Sequence, residues 1–377
     1  MTFARIFSTT SALALVAGPA FADLTAQEVW TDWKDLLESY GAEVTTAGED
    51  QSGDTLTVSR LTAAFAVEGG DMALELGNIT FAEQGDGSVV VTMEDTLPFA
   101  VDFVDPDGKE GRVSFTLRQP GGRIVASGDM ENLRYDFDYP TMTISDFTME
   151  GDEVPDDMPM ALDMALTGMT GYIALSGGDV RNYESESDIA SFTMTMDIDD
   201  PEEGSGSFNF AMSDVGQTVK GTLADIQMDM SAAELAAAGL SQTGTGTYGP
   251  STMNFAFDGP DGALEMAAAA EGGTLNMTFG EGGMDYGGVT RGITMTVGGS
   301  AIPFPPLTFA MDKSEGRILM PMVPNPDEEQ DFGLVMTLEG LVIDNMLWNM
   351  IDPSEQLPRD PAPLGDDLGA SVILTED

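Results

Sequence analysis

The feature that most constrains the fold is a repeated interruption in an alternating pattern of apolar residues. Two apolar residues alternate with polar ones, two small or polar residues follow, and two more apolar residues then alternate. Successive side chains of a strand point to opposite faces, so one extra residue turns the rest of the strand to the wrong face. A β-bulge absorbs that residue, keeps both halves facing the core and bends the strand. We therefore predict bulged, strongly bent strands, with a tight turn as the alternative for some copies, at 56–63, 74–81, 142–149 and 336–343, and in part at 164–169 and 221–228.

Uninterrupted alternation fills much of the remaining chain. It occurs at 192–198, 208–212, 253–257, 275–279 and 293–297. Each run predicts a half-buried strand, and pairs such as Asp86-Gly87, Asp107-Gly108 and Gly272-Gly273 predict the turns between strands. The copies are unevenly spaced, which does not support a fixed-period solenoid. The predicted fold class is mainly β: bent, bulged antiparallel sheet or sheets with an N-terminal amphipathic helix and one or two short helices.

Between residues 25 and 41 the apolar residues recur at the spacing of a helix, and the alternating pattern begins only after Gly41. Thr25 is a good N-cap, Glu28 completes a capping box, and Gly41 is suited to the residue after the helix end. Trp30 and Trp33 lie on the apolar stripe. One interpretation is an aromatic platform for a ligand, and the favoured alternative is a helix packed over a sheet.

Other breaks in the pattern predict short helices and loops. The short helices are predicted at 231–238 and 345–351, each with a capping or stop signal. Stretches rich in proline, acid or glycine predict loops at 151–159, 199–206, 243–250, 321–331 and 353–366.

The first 22 residues have the pattern of a cleaved secretory signal. Arg5 precedes a short apolar run at 11–18, and Ala20-Phe21-Ala22 is a small-x-small cleavage site before Asp23. The apolar run is too short to span a bilayer, which needs about 20 residues. We therefore expect residues 23–377 to form an exported β-rich domain, periplasmic or secreted, without a transmembrane segment. The order of predicted strands and loops is compatible with one long domain or with two lobes that divide near residue 200.

Composition excludes several function classes. The chain has 65 acids, 14 Lys and Arg and no Cys or His, and its formal net charge is −51. Without His and Cys there is no Ser-His-Asp triad, no Cys nucleophile and no His or Cys ligand for zinc or haem. Strong negative charge also disfavours binding to nucleic acid and to anionic lipid headgroups. A chain without thiols suits an oxidising compartment.

Carboxylates offer weak candidate sites. Asp105, Asp107 and Glu110 resemble the start of a calcium loop, because oxygen ligands at alternate positions converge on one ion. The twelfth position of that loop is Thr116 rather than Glu, so an ordinary Asp-Gly hairpin turn is the favoured alternative. With 65 acids, carboxylate pairs occur at any spacing by chance, and Ser-x-x-Lys is absent. No catalytic residue and no cofactor other than calcium is assigned, and an enzyme is the least favoured class.

The chain is also unusually rich in methionine, with 26 residues. Met158-x-Met160 and Met320-x-Met322 could bind Cu(I) through thioethers. Most methionines instead occupy inward strand positions, which favours core packing or an adaptable apolar groove. The candidate groove residues are Trp30, Trp33, Met142, Phe147, Met194 and Met196.

Two segments resemble a known family. Residues 22–44 (ADLTAQEVWTDWKDLLESYGAEV) and 345–362, which include Leu-Pro-Arg-Asp-Pro at 357–361, resemble an uncharacterised exported family of alphaproteobacteria, the domain of unknown function numbered twenty-one twenty-five. The resemblance covers the mature chain and supplies no catalytic residues. Family members continue beyond the Leu-Pro-Arg-Asp-Pro stretch, so the resemblance implies a truncated C-terminus here. By fold-level analogy the strands are also similar to AsmA-like envelope proteins, which are associated with lipid handling.

These observations support two main expectations for function. The first is a non-enzymatic periplasmic protein that binds a lipid or another apolar ligand in the cell envelope. The alternative is a structural or protein-interaction module of the envelope, with an envelope protein as partner, and it could be stabilised by calcium.

Overall fold

The computed structural model describes residues 24–67, 70–104, 110–151, 160–177, 181–200, 204–223, 239–280, 283–321, 332–343 and 368–374. In these residues a single helix, α1 (Ala26–Ser39), precedes a long series of strands. The strands are β1 (Ala42–Thr45), β2 (Gly48–Ser52), β3 (Thr55–Val67), β4 (Gly70–Glu83), β5 (Val89–Met93), β6 (Thr96–Val104), β7 (Glu110–Arg118), β8 (Arg123–Asp129), β9 (Asn132–Gly151), β10 (Met160–Ser176), β11 (Arg181–Asp200), β12 (Gly204–Leu223), β13 (Ser241–Tyr248), β14 (Ser251–Gly259), β15 (Gly262–Ala270), β16 (Gly272–Gly280), β17 (Gly283–Gly298), β18 (Leu307–Met320), β19 (Phe332–Glu339), β20 (Val342–Ile343) and β21 (Leu368–Leu374).

These strands form one antiparallel sheet, which confirms the predicted fold class. Strands that follow one another in the chain mostly pair, so the sheet grows in chain order from β3 and β4 through β9–β12 to β17 and β18. At several positions one long strand pairs with two short strands placed end to end, as β12 pairs with β13 and β14. In the described residues no helix is long and apolar enough to cross a bilayer.

A line of irregular positions crosses the sheet and divides it into two halves. Residues with positive φ lie on this line in the long strands, and breaks between short strands continue it, as at 94–95 and 249–250. We call this line the crease. The first wing holds β2, β5, β8, β13, β16 and β19, the second wing holds β1, β6, β7, β14, β15 and β20, and the long strands contribute to both. The crease residues with positive φ are Arg60, Gly77, Gly168, Asp214, Gly292 and Gly340.

Register shifts confirm the bulges predicted at 56–63, 74–81 and 142–149, and positive φ values mark the other described patterns. Arg60, Gly77, Gly168 and Gly340 are middle residues of the patterns at 56–63, 74–81, 164–169 and 336–343, and Asp146 is the corresponding residue of 142–149. The strand register shifts at 58–62 between β3 and β4, and at 114–116 between β7 and β9. The bulge of β9 at Asp146 lies away from the crease. The pattern at 221–228 lies mostly outside the described residues.

Side chains satisfy the backbone groups that the bulges release. The Arg60 backbone N–H donates to Asn78 Oδ1 at 3.1 Å, and the Asn78 backbone N–H donates to Glu94 Oε1 at 3.1 Å. Side-chain hydrogen bonds of this kind replace the ladder bonds lost where a strand is interrupted.

Gly340 gives a direct test of the crease. At φ 62 an added Cβ would be strained, and it would lie 2.9 Å from Asp312 Cβ. We expect Gly340→Ala to lower the free energy of unfolding by about 1–2 kcal/mol, measured by urea denaturation. Gly316→Ala in β18 is the control, since a Cβ there meets nothing within 4 Å. Equal effects of the two changes would contradict the assignment of a strained crease.

Helix α1 begins as the sequence predicts and covers part of one sheet face. Thr25 and Glu28 form the capping box, and Gly41 has φ 84 just after the helix. Trp30 is 1% exposed, and its ring centroid lies 5.9 Å from that of Phe81. The buried core of α1 and the first wing comprises Leu24, Ala26, Val29, Trp30, Leu56, Val58, Leu61, Ile79, Phe81, Val89, Val91, Ala126, Leu133, Tyr135 and Leu175.

Two loop predictions were wrong. Residues 243–250 were predicted as a loop, but all except the last two belong to strand β13. The Thr and Gly residues there alternate, so glycines such as Gly244 lie on one face, between Val219 and Met277 of the neighbouring strands. Strands β11 and β12 also extend into 199–206 and pair as far as Asp200 and Gly204. The sheet is therefore continuous across residue 200. Gly272 and Gly273 begin strand β16 rather than forming a longer turn.

Some predicted features lie outside the described residues. These are the signal segment at 1–22 with its cleavage site at Ala22 and Asp23, the short helices at 231–238 and 345–351, and most of the loops at 151–159, 321–331 and 353–366.

Candidate functional site

The most distinctive surface is an apolar row that runs across the second wing. Strand register aligns one inward residue from each strand, and each is the direct partner of the next. The row consists of Ile144, Met164, Met194, Phe210, Met253, Ala268, Met295 and Phe309.

A second apolar row lies beside the first, toward the outer ends of the strands. It is aligned by the same ladders and consists of Leu162, Met196, Phe208, Phe255, Met266, Val297 and Leu307. We call the two rows together the apolar band. From β10 to β18 the band crosses six strand spacings of about 4.8 Å, or about 29 Å.

No helix or strand of the described chain packs over the apolar band. Strands β10 to β18 contact their neighbours within the sheet, whereas α1 contacts β1, β3 and β4. Most band residues are half-buried, because neighbouring side chains of the same face shield one another. In the first wing, by contrast, α1 buries Val58 and Phe81 completely. The same face of the sheet is thus a closed core beside α1, and further along no element of the described residues covers it.

The band is chemically uniform and adaptable. Phe192 and Phe210 are tilted, with ring centroids 5.9 Å apart, and Met164 is the direct cross-strand partner of Met194. Methionine side chains are unbranched and polarizable, so they adjust to ligands of different shape. The opposite face of these strands is small and polar: Thr195 pairs with Asp163 and with Asn209. The arrangement offers one continuous apolar surface with no charged side chain in either row.

The structure places four of the six sequence-predicted groove residues on this apolar face. Met194 and Met196 belong to the band, and Met142 lies in the next row, opposite Leu166. Phe147 lies beyond Ile144, where β9 pairs with β7 instead of β10.

The two tryptophans lie elsewhere, in the core beneath α1. Trp30 is fully buried against Phe81, and Trp33 makes an edge contact with the same ring at 5.6 Å. Trp30 is therefore not exposed to a ligand, and the favoured alternative, a helix packed over a sheet, describes it. Sequence reasoning did not single out Met164, Phe210 or Met253, because only the strand register aligns them with Met194.

A buried polar cluster joins α1 to the sheet. Asp32 is 4% exposed and accepts hydrogen bonds from Tyr135 Oη at 2.6 Å and from Arg181 Nη1. Burial and the neighbouring Asp32 carboxylate raise the pKa of the Tyr135 hydroxyl, so it remains a proton donor. No sequence pattern predicts this cluster, because nothing distinguishes Asp32 among the many acids before the fold is known.

The described charges pair on the surface without forming a metal site. Hydrogen bonds from the Arg317 guanidinium lower the pKa of the Asp285 carboxyl, and those from Arg118 lower the pKa of Asp146. Among the described residues, no group of three or more Asp or Glu side chains is placed to hold a metal ion. Of the calcium candidates, Asp105 and Asp107 lie outside the described residues, and Glu110 begins strand β7.

Comparison with known proteins found no match to any family model, to any curated protein or to any solved structure.

Proposed function

We propose that this protein binds a lipid or another apolar ligand along the apolar band, in the periplasm or cell envelope, and does not catalyse a reaction. The observation that carries the proposal is the unbroken register of apolar residues across the second wing, from Met164 in β10 to Phe309 in β18, which are Met or Phe in every strand except β15, where Ala268 stands. The signal-like segment at 1–22 supports export.

The size and openness of the band favour a lipid. Contiguous apolar surfaces larger than a few hundred Å² are uncommon on monomeric soluble proteins and mark binding sites. The hydrocarbon core of a bilayer is about 30 Å thick, so the tails of one lipid extend about 15 Å. The band, at about 29 Å, accommodates such tails along or across its strands. A ligand that covers the band gains about 25 cal/mol of favourable transfer free energy for each Å² of apolar surface removed from water.

Mass spectrometry of the protein purified from a periplasm tests the proposal. We expect the native spectrum to contain an additional mass of several hundred daltons, and the denaturing spectrum to release it as an identifiable lipid. A hydrophobic dye that becomes fluorescent on apolar surfaces should bind the delipidated, folded protein and be displaced by that lipid. A bare polypeptide mass together with absence of dye binding would contradict the proposal.

One observation favours the alternative, a protein-interaction module. Leu334, Val335 and Met336 in β19 are 41%, 41% and 50% exposed, and they point alternately to both faces of the sheet. Strands that are apolar on both faces are typical of sheets covered on both sides. If this region binds a protein partner, Val335→Lys should abolish co-purification of that partner and leave dye binding to the band unchanged.

A further inference from the structure

Large apolar side chains are also exposed in the first wing, on the strands that follow those beneath α1. We propose that this part of the sheet is the interface between two copies of the chain, which pack face to face about a twofold axis. The inference goes beyond the proposed function, because it concerns a different surface from the apolar band and a different partner.

Strand register aligns this surface in parallel rows across β12, β13, β16, β17, β18 and β19, and each residue of a row is the direct partner of the next. We call three of these rows together the first-wing surface. They run from Gly221 to Met320, from Val219 to Leu334 and from Gln217 to Met336. The middle row continues through Ser185 and Ile173 to Tyr135, so the surface lies on the face of the sheet that α1 covers.

The first-wing surface is apolar and unusually exposed. Leu275, Tyr286, Leu334 and Met336 are each between 40% and 50% exposed. The three rows contain no Lys, Arg, Asp or Glu. Among the described residues, no helix and no second layer of strands packs over β12 to β19. Contiguous apolar surfaces of this kind mark interaction sites.

Glycines leave gaps beside these side chains. Gly246 and Gly288 flank Leu275 in its row, and Gly316 follows Gly288. A Cβ atom added to Gly316 would meet nothing within 4 Å, and one added to Gly246 would meet its nearest neighbours only at 3.7 Å. Packing within the chain therefore requires neither glycine. Because glycine weakens a strand, its presence at such positions points to the close approach of another backbone.

The protrusions and gaps match when the surface faces a copy of itself. A twofold axis parallel to the strands and midway between β16 and β17 places β16 over β17, and β13 over β18, of the second copy. Leu275 then faces Gly288 of the second copy, and Gly246 faces Gly316 of the second copy. An interface about a twofold axis has to be self-complementary in this way, because every contact occurs twice.

The first-wing surface has the size that a dimer needs. Six strands at a spacing of about 4.8 Å are about 29 Å wide, and three rows about 6.8 Å apart extend about 20 Å along the strands. Two copies bury about 1,200 Å², somewhat more than the roughly 1,000 Å² expected of a specific interface. Packed sheets lie about 10 Å apart, which is also the diameter of a helix, so α1 and the second sheet fit side by side in one layer.

The charge of the chain makes this association dependent on salt. Acids of the same strands, such as Asp285 and Glu315, alternate with residues of the surface and so point to the opposite face. The acids of two packed copies are therefore more than about 10 Å apart, beyond the Debye length of about 8 Å at physiological ionic strength. At about 0.01 M salt the Debye length is about 30 Å, and the net charge of −51 on each chain then opposes association.

Sedimentation equilibrium of the mature protein tests the inference. At micromolar concentration and physiological ionic strength we expect twice the mass of one chain. The Kd of the dimer should be at least about tenfold larger at about 0.01 M salt, because the two acidic chains then repel each other. The mass of a single chain at physiological ionic strength would contradict the dimer.

Two matched pairs of variants locate the interface. Leu275→Asp should raise the Kd at least about 100-fold, because it buries an unpaired carboxylate. Its control is Asn276→Asp, which adds the same charge at the next residue, on the opposite, exposed face. Gly246→Leu adds apolar surface but fills a gap, so it too should raise the Kd, whereas Thr245→Leu on the opposite face should leave it unchanged. Circular dichroism confirms that each variant is folded.

The outcomes separate the possible occupants of the surface. If Gly246→Leu strengthens association, the close-packed twofold arrangement is contradicted. A dimer that survives Leu275→Asp would have its interface elsewhere. If the protein is monomeric and Leu275→Asp lowers its affinity for lipid, the surface belongs to the ligand and not to a second copy. Met194→Asp in the apolar band should leave the dimer intact, so loss of lipid binding and loss of the dimer are distinguishable.

Discussion

Replacing Asp32 with alanine is expected to lower the free energy of unfolding by about 3–5 kcal/mol, because it leaves a buried charge without its partner. Asp32 is 4% exposed and is the acceptor for both Tyr135 and Arg181. Without the carboxylate, the Arg181 guanidinium and the Tyr135 hydroxyl lose that acceptor in a largely buried environment. The measurement is the midpoint and slope of urea denaturation.

Asp35→Ala is the matched control, since it makes the same chemical change on the exposed face of the same helix. We expect it to change stability by less than about 0.5 kcal/mol. A double-mutant cycle with Arg181→Met then measures the interaction energy between Asp32 and Arg181. The double variant should be more stable than the sum of the two single changes predicts. Equal effects of Asp32→Ala and Asp35→Ala would show that the cluster does not hold the helix on the sheet.

The cluster also explains how one short helix is positioned on so large a sheet. Asp32 reaches Tyr135 in β9 and Arg181 at the start of β11, strands distant in sequence from α1. At the first residue of α1, the Ala26 backbone N–H donates to Glu83 Oε1 in β4 at 2.8 Å. These directional contacts set the orientation of α1, while Trp30 and its apolar neighbours supply most of the burial. The helix therefore covers β1, β3 and β4, whereas no element of the described residues covers the strands of the apolar band.

Local features of the fold were predictable because local chemistry determines them. The capping box of Thr25 and Glu28 and the bulges at Arg60, Gly77 and Asp146 follow from side-chain period, capping and backbone preference over a few residues. The loop prediction at 243–250 was wrong because the glycines there do not form a turn. Their alternation with threonine instead makes room for Val219 and Met277 on the neighbouring strands.

The candidate site was predictable only in part, because it depends on pairing between distant strands. Met194 and Met196 were found from alternation within one strand. Their alignment with Met164 and Phe210 requires the register of three strands, which alternation within each strand does not specify. The position of α1, which covers β1, β3 and β4 and not the strands of the band, is likewise set by contacts between residues distant in sequence, such as those of Asp32 with Tyr135 and Arg181.

A charge placed in the middle of the apolar band is expected to weaken binding of an apolar ligand by at least about 100-fold. We predict this result for Met194→Asp, because a ligand covering the band would remove the carboxylate from water without a partner. A 100-fold loss corresponds to about 2.8 kcal/mol, a modest fraction of the cost of burying an unpaired charge. Met194 is half-buried and central to the band, with Met164 and Phe210 as its direct partners.

Thr195→Asp provides the control for this change. Thr195 is the next residue of the same strand, it is exposed, and its side chain points to the opposite face. The two variants carry the same added charge at almost the same place, so they separate binding at the band from the general effect of charge. Affinity for the lipid found by mass spectrometry, or for the hydrophobic dye, is measured by titration after circular dichroism confirms that both variants are folded.

Met194→Gln is the second variant, in case the aspartate disrupts the strand. It keeps the length of the side chain, adds no charge, and should still weaken binding by several-fold because a polar amide is buried under the ligand. Retention of full affinity by both Met194 variants, or equal losses in Met194→Asp and Thr195→Asp, would place the ligand elsewhere. Selective loss at Met194 would identify the register-aligned face of the second wing as the binding surface, since the two side chains point to opposite faces of the sheet.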